Sequence, residues 1–282
     1  MKAYKLLIII FIGMSISLCH NAQRLVTVGG CVTESVFRLG AGDYVVAVDQ
    51  SSTSPSSVKE LPQVGYIRAI SSEGILSMSP SLILTTTDIG PPKVIEQIND
   101  SGVEMLIFDS PHSINDIFSL VNNVSSALHL DNKGTKLVEE LKIIDIEIQR
   151  SIKKYSYSPK IVFFMNPSSG SYNAAGSETR ADYLIQYIGG TNVFNNKFNR
   201  YSKVTKEEIL NSDPDIILAG SIMPGNNDKL SSLFLDNTEF KSLKAVKNNK
   251  VIVVDLAKYL TFGPNFLINA QELITNLNIE QE

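Results

Sequence analysis

Short apolar runs recur along the chain, separated by longer stretches in which apolar positions return every three or four residues. The runs at 25–28, 44–48, 82–85 and 105–108 predict strands, and the stretches near 33–39, 91–101 and 113–129 predict helices between them. The alternation resumes after Pro159, with strands at 161–165, 216–219 and 251–254 and helices near 179–188, 205–211, 229–246 and 264–278. Val- and Ile-rich runs joined by helices predict an α/β fold whose sheets are mostly parallel and covered on both faces. Ligands of such sheets sit beyond the carboxyl ends of the strands.

One stretch is too long to be a crossover. Over 131–155, Leu137, Leu141, Ile144, Ile148 and Ile152 form an apolar stripe at helical spacing, with charges on the other face. It predicts a helix of about six to seven turns, roughly 35 Å long, which joins two lobes as a strut rather than a loose hinge. The lobes echo each other. EGILSMSPSLIL from Glu73 and EEILNSDPDIIL from Glu207, 134 residues later, agree at six of twelve positions. Each copy reads as a short helix, a Pro that ends it and an apolar strand. The expected organisation is a signal peptide over 1–22, a first α/β lobe over 23–130, a linker helix over 131–158 and a second α/β lobe over 159–282.

The amino terminus sets the compartment. Lys2 and Lys5 precede an apolar run over 6–12, and small and polar residues then lead through Gly13, Ser15 and Ser17 to Cys19. That order is the order of a secretory signal peptide, and the run is too short to span a bilayer. Cleavage fits after Cys19 or after Ala22. Lipid attachment at Cys19 fits less well, because Leu18 is bulkier than lipoprotein signals usually carry. An exported, soluble protein is therefore expected. With 25 basic against 29 acidic residues the chain carries a net charge of −4, which argues against a nucleic-acid binder. Three His and two Cys exclude a multi-Cys zinc site and a disulfide framework. His20 lies in or beside the signal, His129 ends a predicted helix where a capping role is expected, and Cys31 reads as a small buried hydrophobe.

At this point the motifs carry a resemblance. The segment TVGGCVTESVFRLGAGDYVVAVD, then LPQVGYIRAISSEGILSMSPSLIL, the helical strut and VTKEEILNSDPDIIL resemble the class III substrate-binding proteins of ABC importers. Within that class, LPQVGYIR is similar to the motif of periplasmic haem-binding proteins, with AAGSETRADYLI and TFGP in support. The resemblance implies two Rossmann-like lobes with mostly parallel sheets joined by one long helix, and a cargo bound in the cleft between them. It implies haem as transported ligand with Tyr66 as its axial ligand, an inner-membrane permease and ATPase as partners, and an outer-membrane haem receptor upstream. A phenolate is a hard anionic donor suited to Fe(III). Arg68 lies two residues on, and an extended segment would turn it to the same side as Tyr66. There its charge would favour an anionic oxygen, or it would meet a haem propionate. With no His after His129, one haem per protein is expected; the protein is also expected to be a monomer.

A porphyrin face calls for apolar and aromatic walls. The candidates are Tyr172, Tyr201, Tyr259 and Phe262, with Arg200 and Lys203 for propionates and His112, on a strand-to-helix loop, as a second ligand or propionate contact. The resemblance makes Glu73 and Glu207 the residues that dock on the permease, with Glu208 the second choice in its lobe. A first-turn Glu also complements a helix dipole. The same importer role with a ferric siderophore or a corrinoid is the alternative cargo. No GxSxG, HExxH, Walker or GxGxxG pattern supports an enzyme, so no catalytic residue is assigned.

Overall fold

The computed structural model describes residues 23–222 and 227–279; the proposed signal peptide and Cys19 lie outside them. The first half folds as β1 (Leu25–Val28), α1 (Gly30–Arg38), β2 (Val45–Val48), a hairpin of β3 (Gly65–Tyr66) and β4 (Ala69–Ile70), α2 (Ser72–Ser77), β5 (Leu82–Thr86), α3 (Pro92–Asp100), β6 (Glu104–Phe108) and α4 (Ile114–Ala127). The long helix α5 (Asp131–Ile152) follows. The second half runs β7 (Lys160–Met165), β8 (Tyr172–Ala175), α6 (Arg180–Tyr187), β9 (Thr191–Asn192), β10 (Tyr201–Val204), α7 (Lys206–Ser212), β11 (Ile216–Ser221), α8 (Asn227–Leu235), α9 (Lys244–Lys247), β12 (Val251–Asp255), α10 (Leu256–Leu260) and α11 (Phe266–Leu277).

Two sheets result, ordered β2-β1-β5-β6 and β10-β8-β7-β11-β12 with β9 beside β7. The repeated segments become α2 with β5 and α7 with β11, and each of these strands lies between the first strand of its own half and the strand that follows it, β5 between β1 and β6 and β11 between β7 and β12. The first sheet is all parallel, because helices make its crossovers. The second is mixed: β8 runs antiparallel to both its neighbours, β7 and β10, since β7 reaches β8 through a short turn closed by the Ser168–Ser171 bridge. Helix 229–246 of the sequence reading is broken in two, with Asn237 capping a 3₁₀ turn over Thr238–Phe240 between the pieces.

Strand alternation divides the core. Ile161, Phe163, Ile216 and Leu218 face one way, Val162, Phe164 and Ile217 the other, as do Leu25 and Leu82 against Val26 and Ile83. One face of each sheet joins a single continuous core with Leu137, Leu141 and Ile148 of α5, while the opposite faces close private cores. The apolar stripe of α5 is thus the seam between the halves, and α5 packs on α4 and α11.

Where α1 meets the second half, packing is close. A Cβ on Gly30 would lie 2.9 Å from Thr261 Cγ2, and one on Gly263 would lie 2.2 Å from Glu34 Oε2. Glu34 is only 4% exposed and accepts from the Asn265 backbone N–H at 3.3 Å. Burial pushes its carboxyl up to about 7, against the smaller opposing effects of Asn265 and Arg38.

On the other side of α1, Asp49 is fully buried and gathers its neighbours. Oδ1 accepts from Gly29 N at 2.8 Å and Ser52 Oγ at 2.7 Å, and Oδ2 from Ser51 N at 2.9 Å and Ser51 Oγ. The chain Thr27–Thr33–Ser52 extends this network into the core. Gln50 N then donates to Gly65 O at 2.8 Å, which fixes the hairpin that carries Tyr66. Asp49 occupies the amino end of α1, where a helix favours negative charge.

Two outcomes follow for stability. Glu34 binds its proton more tightly folded than unfolded, so its contribution is whole below the ordinary value of 4.5 and is lost as pH rises through about 7. Glu34→Gln should flatten this dependence and be more stable than the parent at pH 8, by up to ~3 kcal/mol; denaturant titrations across pH 4 to 9 read it, and an unchanged pH slope refutes it. Asp49→Ala orphans several buried donors and should cost about 3 kcal/mol, read as a lower urea midpoint.

Candidate functional site

The carboxyl ends of the parallel strands of both sheets open onto one cleft of about 930 Å³. From the first half come Gly29 and Gly30 after β1, Gln50 and Ser51 after β2, Asp88 after β5 and His112 after β6. From the second come Asn166 after β7, Ile222 after β11 and Leu256 after β12, together with Glu178, Arg180 and Arg200 from the crossing of the 176–180 and 198–200 loops. That crossing is tight: a Cβ on Gly176 would lie 2.0 Å from Phe198 O. Asn166, Glu178 and Arg200 each hold a positive φ, of 44°, 59° and 61°, a conformation that costs non-glycine residues energy and gathers at functional sites.

The β3–β4 hairpin forms one rim. Tyr66 pairs with Ala69, which leaves Ile67 and Arg68 as the two turn residues. The extended geometry expected for Tyr66 and Arg68 is therefore corrected: Ile67 turns into the core, and Arg68 is exposed at the turn. Hydrogen bonds from Gly90 N to Ile67 O and from Ile70 N to Gly90 O seat the turn on the next loop. Tyr66 remains 46% exposed on the cleft.

Arg68 bonds not to Tyr66 but to Asp88, Nη2 to Oδ1 at 3.2 Å. The other oxygen of Asp88 receives Arg180 Nη2, also at 3.2 Å. Burial works against this carboxylate's charge, but Arg180, the neighbouring Ser110 hydroxyl and Arg68 together outweigh it and hold the group below the usual range. Arg180 starts α6 in the second half, so the pair crosses the cleft. Its Nε also donates to Pro111 O at 3.1 Å, and its guanidinium lies 5.7 Å from the Phe262 ring centre. One turn on, Tyr183 Oη accepts from Ile114 N at 2.9 Å. α6 thus gives the second half a polar contact with the loops after β5 and β6 of the first.

Of the residues singled out in the sequence, Tyr66, Arg68, His112, Arg200 and Tyr201 meet at this cleft. His112 is exposed, and its backbone N–H donates to Asp116. Burial raises the Tyr201 phenol to about 12, partly offset by Arg180. Three aromatic candidates lie elsewhere. Tyr172 is 3% exposed and packs with Phe164, Phe234 and Phe240 on the far face of its sheet, because its strand position points away from the cleft. Tyr259 is buried in the shared core beneath Lys258, and Phe262 is 1% exposed against Phe266 and Tyr183. Lys203 is exposed on β10, outside the cleft. Cys31 is buried at the floor of the cleft, where burial lifts its thiol to about 12. His129 is exposed, with φ 56° at the end of α4.

Glu73 and Glu207 are both exposed in the first turns of the equivalent helices α2 and α7. Glu208 closes a capping box with Thr205, its Oε2 accepting from Thr205 N at 2.7 Å, so its carboxylate is engaged within the helix. Sequence reasoning did not single out Asp88 or Arg180. Among the described residues no three His, Cys, Asp or Glu side chains cluster as a metal ion would need, and no helix is long and apolar enough to cross a membrane.

Comparison with known proteins agrees with this architecture. The periplasmic haem-binding protein BhuT, solved in complex with two haems, is 27% identical, with 90% of this chain and 97% of that one aligned at a TM-score of 0.82. The periplasmic haem-binding protein RhuT from Roseiflexus sp. RS-1, in apo form, is 26% identical over 91% and 98% of the two chains, also at 0.82. By sequence, an uncharacterized ABC transporter substrate-binding lipoprotein of Bacillus subtilis (strain 168), YvrC, is 23% identical over 93% of this chain and 82% of its own. A vitamin B12-binding protein of Photorhabdus laumondii is 23% identical over 96% and 94%. The pattern of the periplasmic binding protein family matches residues 25–256, and the chain belongs to that family, as a class III substrate-binding protein of ABC importers.

Proposed function

We propose that the protein binds haem in the cleft and delivers it to an inner-membrane ABC permease, whose ATPase supplies the energy for haem iron uptake. The observation that carries this reading is Tyr66: a phenol on a hairpin rim, open to a cleft whose other polar groups include Arg68, Arg180 and Arg200. Iron already chelated by a porphyrin needs only an axial donor from the protein, and a phenolate oxygen suits Fe(III). The cleft volume of about 930 Å³ lies within the range of small-molecule sites and is large enough for a macrocycle.

A corrinoid is the second reading, favoured by the vitamin B12-binding names among the sequence relatives. The charges weigh against it. A porphyrin brings two carboxylates to guanidinium groups, whereas the rim of a corrin is mostly neutral amides and offers no carboxylate to Arg200 or to the net positive Arg68–Asp88–Arg180 group. On this reading one haem binds per chain, since no His follows His129 to ligate a second iron. Glu73 and Glu207 then serve as the docking pair for the permease, and export places the protein in the periplasm.

Titration with hemin should saturate at one equivalent and give a Soret band with a high-spin charge-transfer feature. Tyr66→Phe should lose that feature and bind at least about tenfold more weakly. An unchanged spectrum and affinity in that variant would remove Tyr66 as ligand, and preferential binding of cyanocobalamin would favour the corrinoid. Reversing both Glu73 and Glu207 to Lys should abolish uptake into vesicles carrying the permease while hemin binding stays intact; uptake that survives the double reversal ends the docking assignment.

A further inference from the structure

We propose that Asp88 is a specificity-determining residue of the cleft, a resident carboxylate that holds Arg68 and Arg180 until a cargo bearing acid groups takes them over. The inference rests on the haem reading and concerns how the same cleft tells an acidic macrocycle from a neutral one.

Three observations carry it. Asp88 lines the cleft and receives one guanidinium on each oxygen, so a single carboxylate gathers arginines from two walls that like charge would otherwise drive apart. Both contacts are single bonds at 3.2 Å, long for charge-assisted pairs, which run about 2.7–2.9 Å and are often bidentate. Each guanidinium keeps N–H groups to spare, since it has five. Finally, the two arginines are unequally anchored. Arg68 is exposed at the hairpin turn, while Arg180 has the Pro111 carbonyl and the Phe262 ring to hold it when Asp88 lets go.

The trio Arg68–Asp88–Arg180 therefore carries one net positive charge and is internally satisfied. A neutral rim gains nothing by disturbing it. A cargo with two carboxylates on one edge of a rigid ring can meet both guanidinia at once, and it does so in competition with Asp88. Because Asp88 and Arg180 belong to opposite halves, the exchange replaces a direct tie across the cleft with one that runs through the cargo. Asp88 thus weakens binding of the acid cargo and makes the cleft discriminate by the cargo's power to displace an internal anion.

The test compares hemin with its dimethyl ester, which keeps the iron and the ring but removes both acids. A carboxylate about 5 Å from a second one in a wet site opposes it by enough to change affinity about tenfold. Asp88→Asn should bind hemin about tenfold tighter than the parent and the diester within about twofold of it, with the hemin gain shrinking at high salt. Asp88→Ser should behave likewise, which guards against a local folding defect in either variant. Equal or weaker hemin binding in both variants, or an equal gain for acid and ester, overturns the inference while leaving haem binding intact. Absence of a Tyr66-dependent spectrum in the parent protein with either porphyrin overturns the haem reading, and this inference falls with it.

Discussion

The continuous apolar core that the two sheets share with α5 is the constraint on which the rest of the molecule depends. Each sheet gives one face of its strands to this core, and Leu137, Leu141 and Ile148 of the long helix lie at the seam. Close packing of that kind does not flex in small steps. Parting the halves would expose the seam to water at roughly 25 cal/mol for each Å² of apolar surface, so wide hinge closure is disfavoured and the cleft width is largely preset. Of the polar contacts between the halves, Glu34 with Asn265 is buried against this core, whereas Asp88 with Arg180 lies on the cleft, where water or cargo can reach it.

A preset cleft puts the burden of recognition on loops. Asn166, Glu178 and Arg200 adopt left-handed backbone conformations there, and the 176–180 and 198–200 loops cross with no room for a side chain at Gly176. Such strain persists because the surrounding sheet and the Asp182 cluster, which takes Asn192, Asn195 and Gln186 as donors, over-determine the loop positions. In the first half the same service comes from Asp49, which ties the start of α1, the 50–52 loop and, through Gln50, the Tyr66 hairpin. Stability stored in the core is thus spent on holding a few polar side chains in fixed places.

Much of this was legible in the sequence, and the limits have physical causes. The strand at 25–28, the strut and the pairing of Glu73 with Glu207 follow from local periodicity and from a repeat, and both signals survive folding. The side of a strand on which an aromatic falls does not announce itself when both faces are buried, which is why Tyr172 read as cleft wall yet packs on Phe164 and Phe234. Tyr66 and Arg68 read as neighbours on an extended segment, but a two-residue turn intervenes. The Asp88–Arg180 pair joins residues 92 apart in the chain, and nothing local to either of them signals the other.

The hairpin ties cargo to partner on the proposed reading. β4 ends at Ile70, Ser71 caps α2, and Glu73 lies in that helix's first turn, so the chain from Tyr66 to the docking carboxylate contains no free loop. A force applied by the permease at α2 passes directly into a small two-stranded unit held to its neighbours by the Gly90 and Gln50 hydrogen bonds and by Ile67 and Ile70 in the private core of the first half. This anchorage is smaller than the shared core. With the halves locked by their core, the least costly way to loosen the iron–oxygen bond is to shift the hairpin, not to separate the lobes. Release of cargo would then be a local event at one rim of the cleft, set off by binding at the surface next to it.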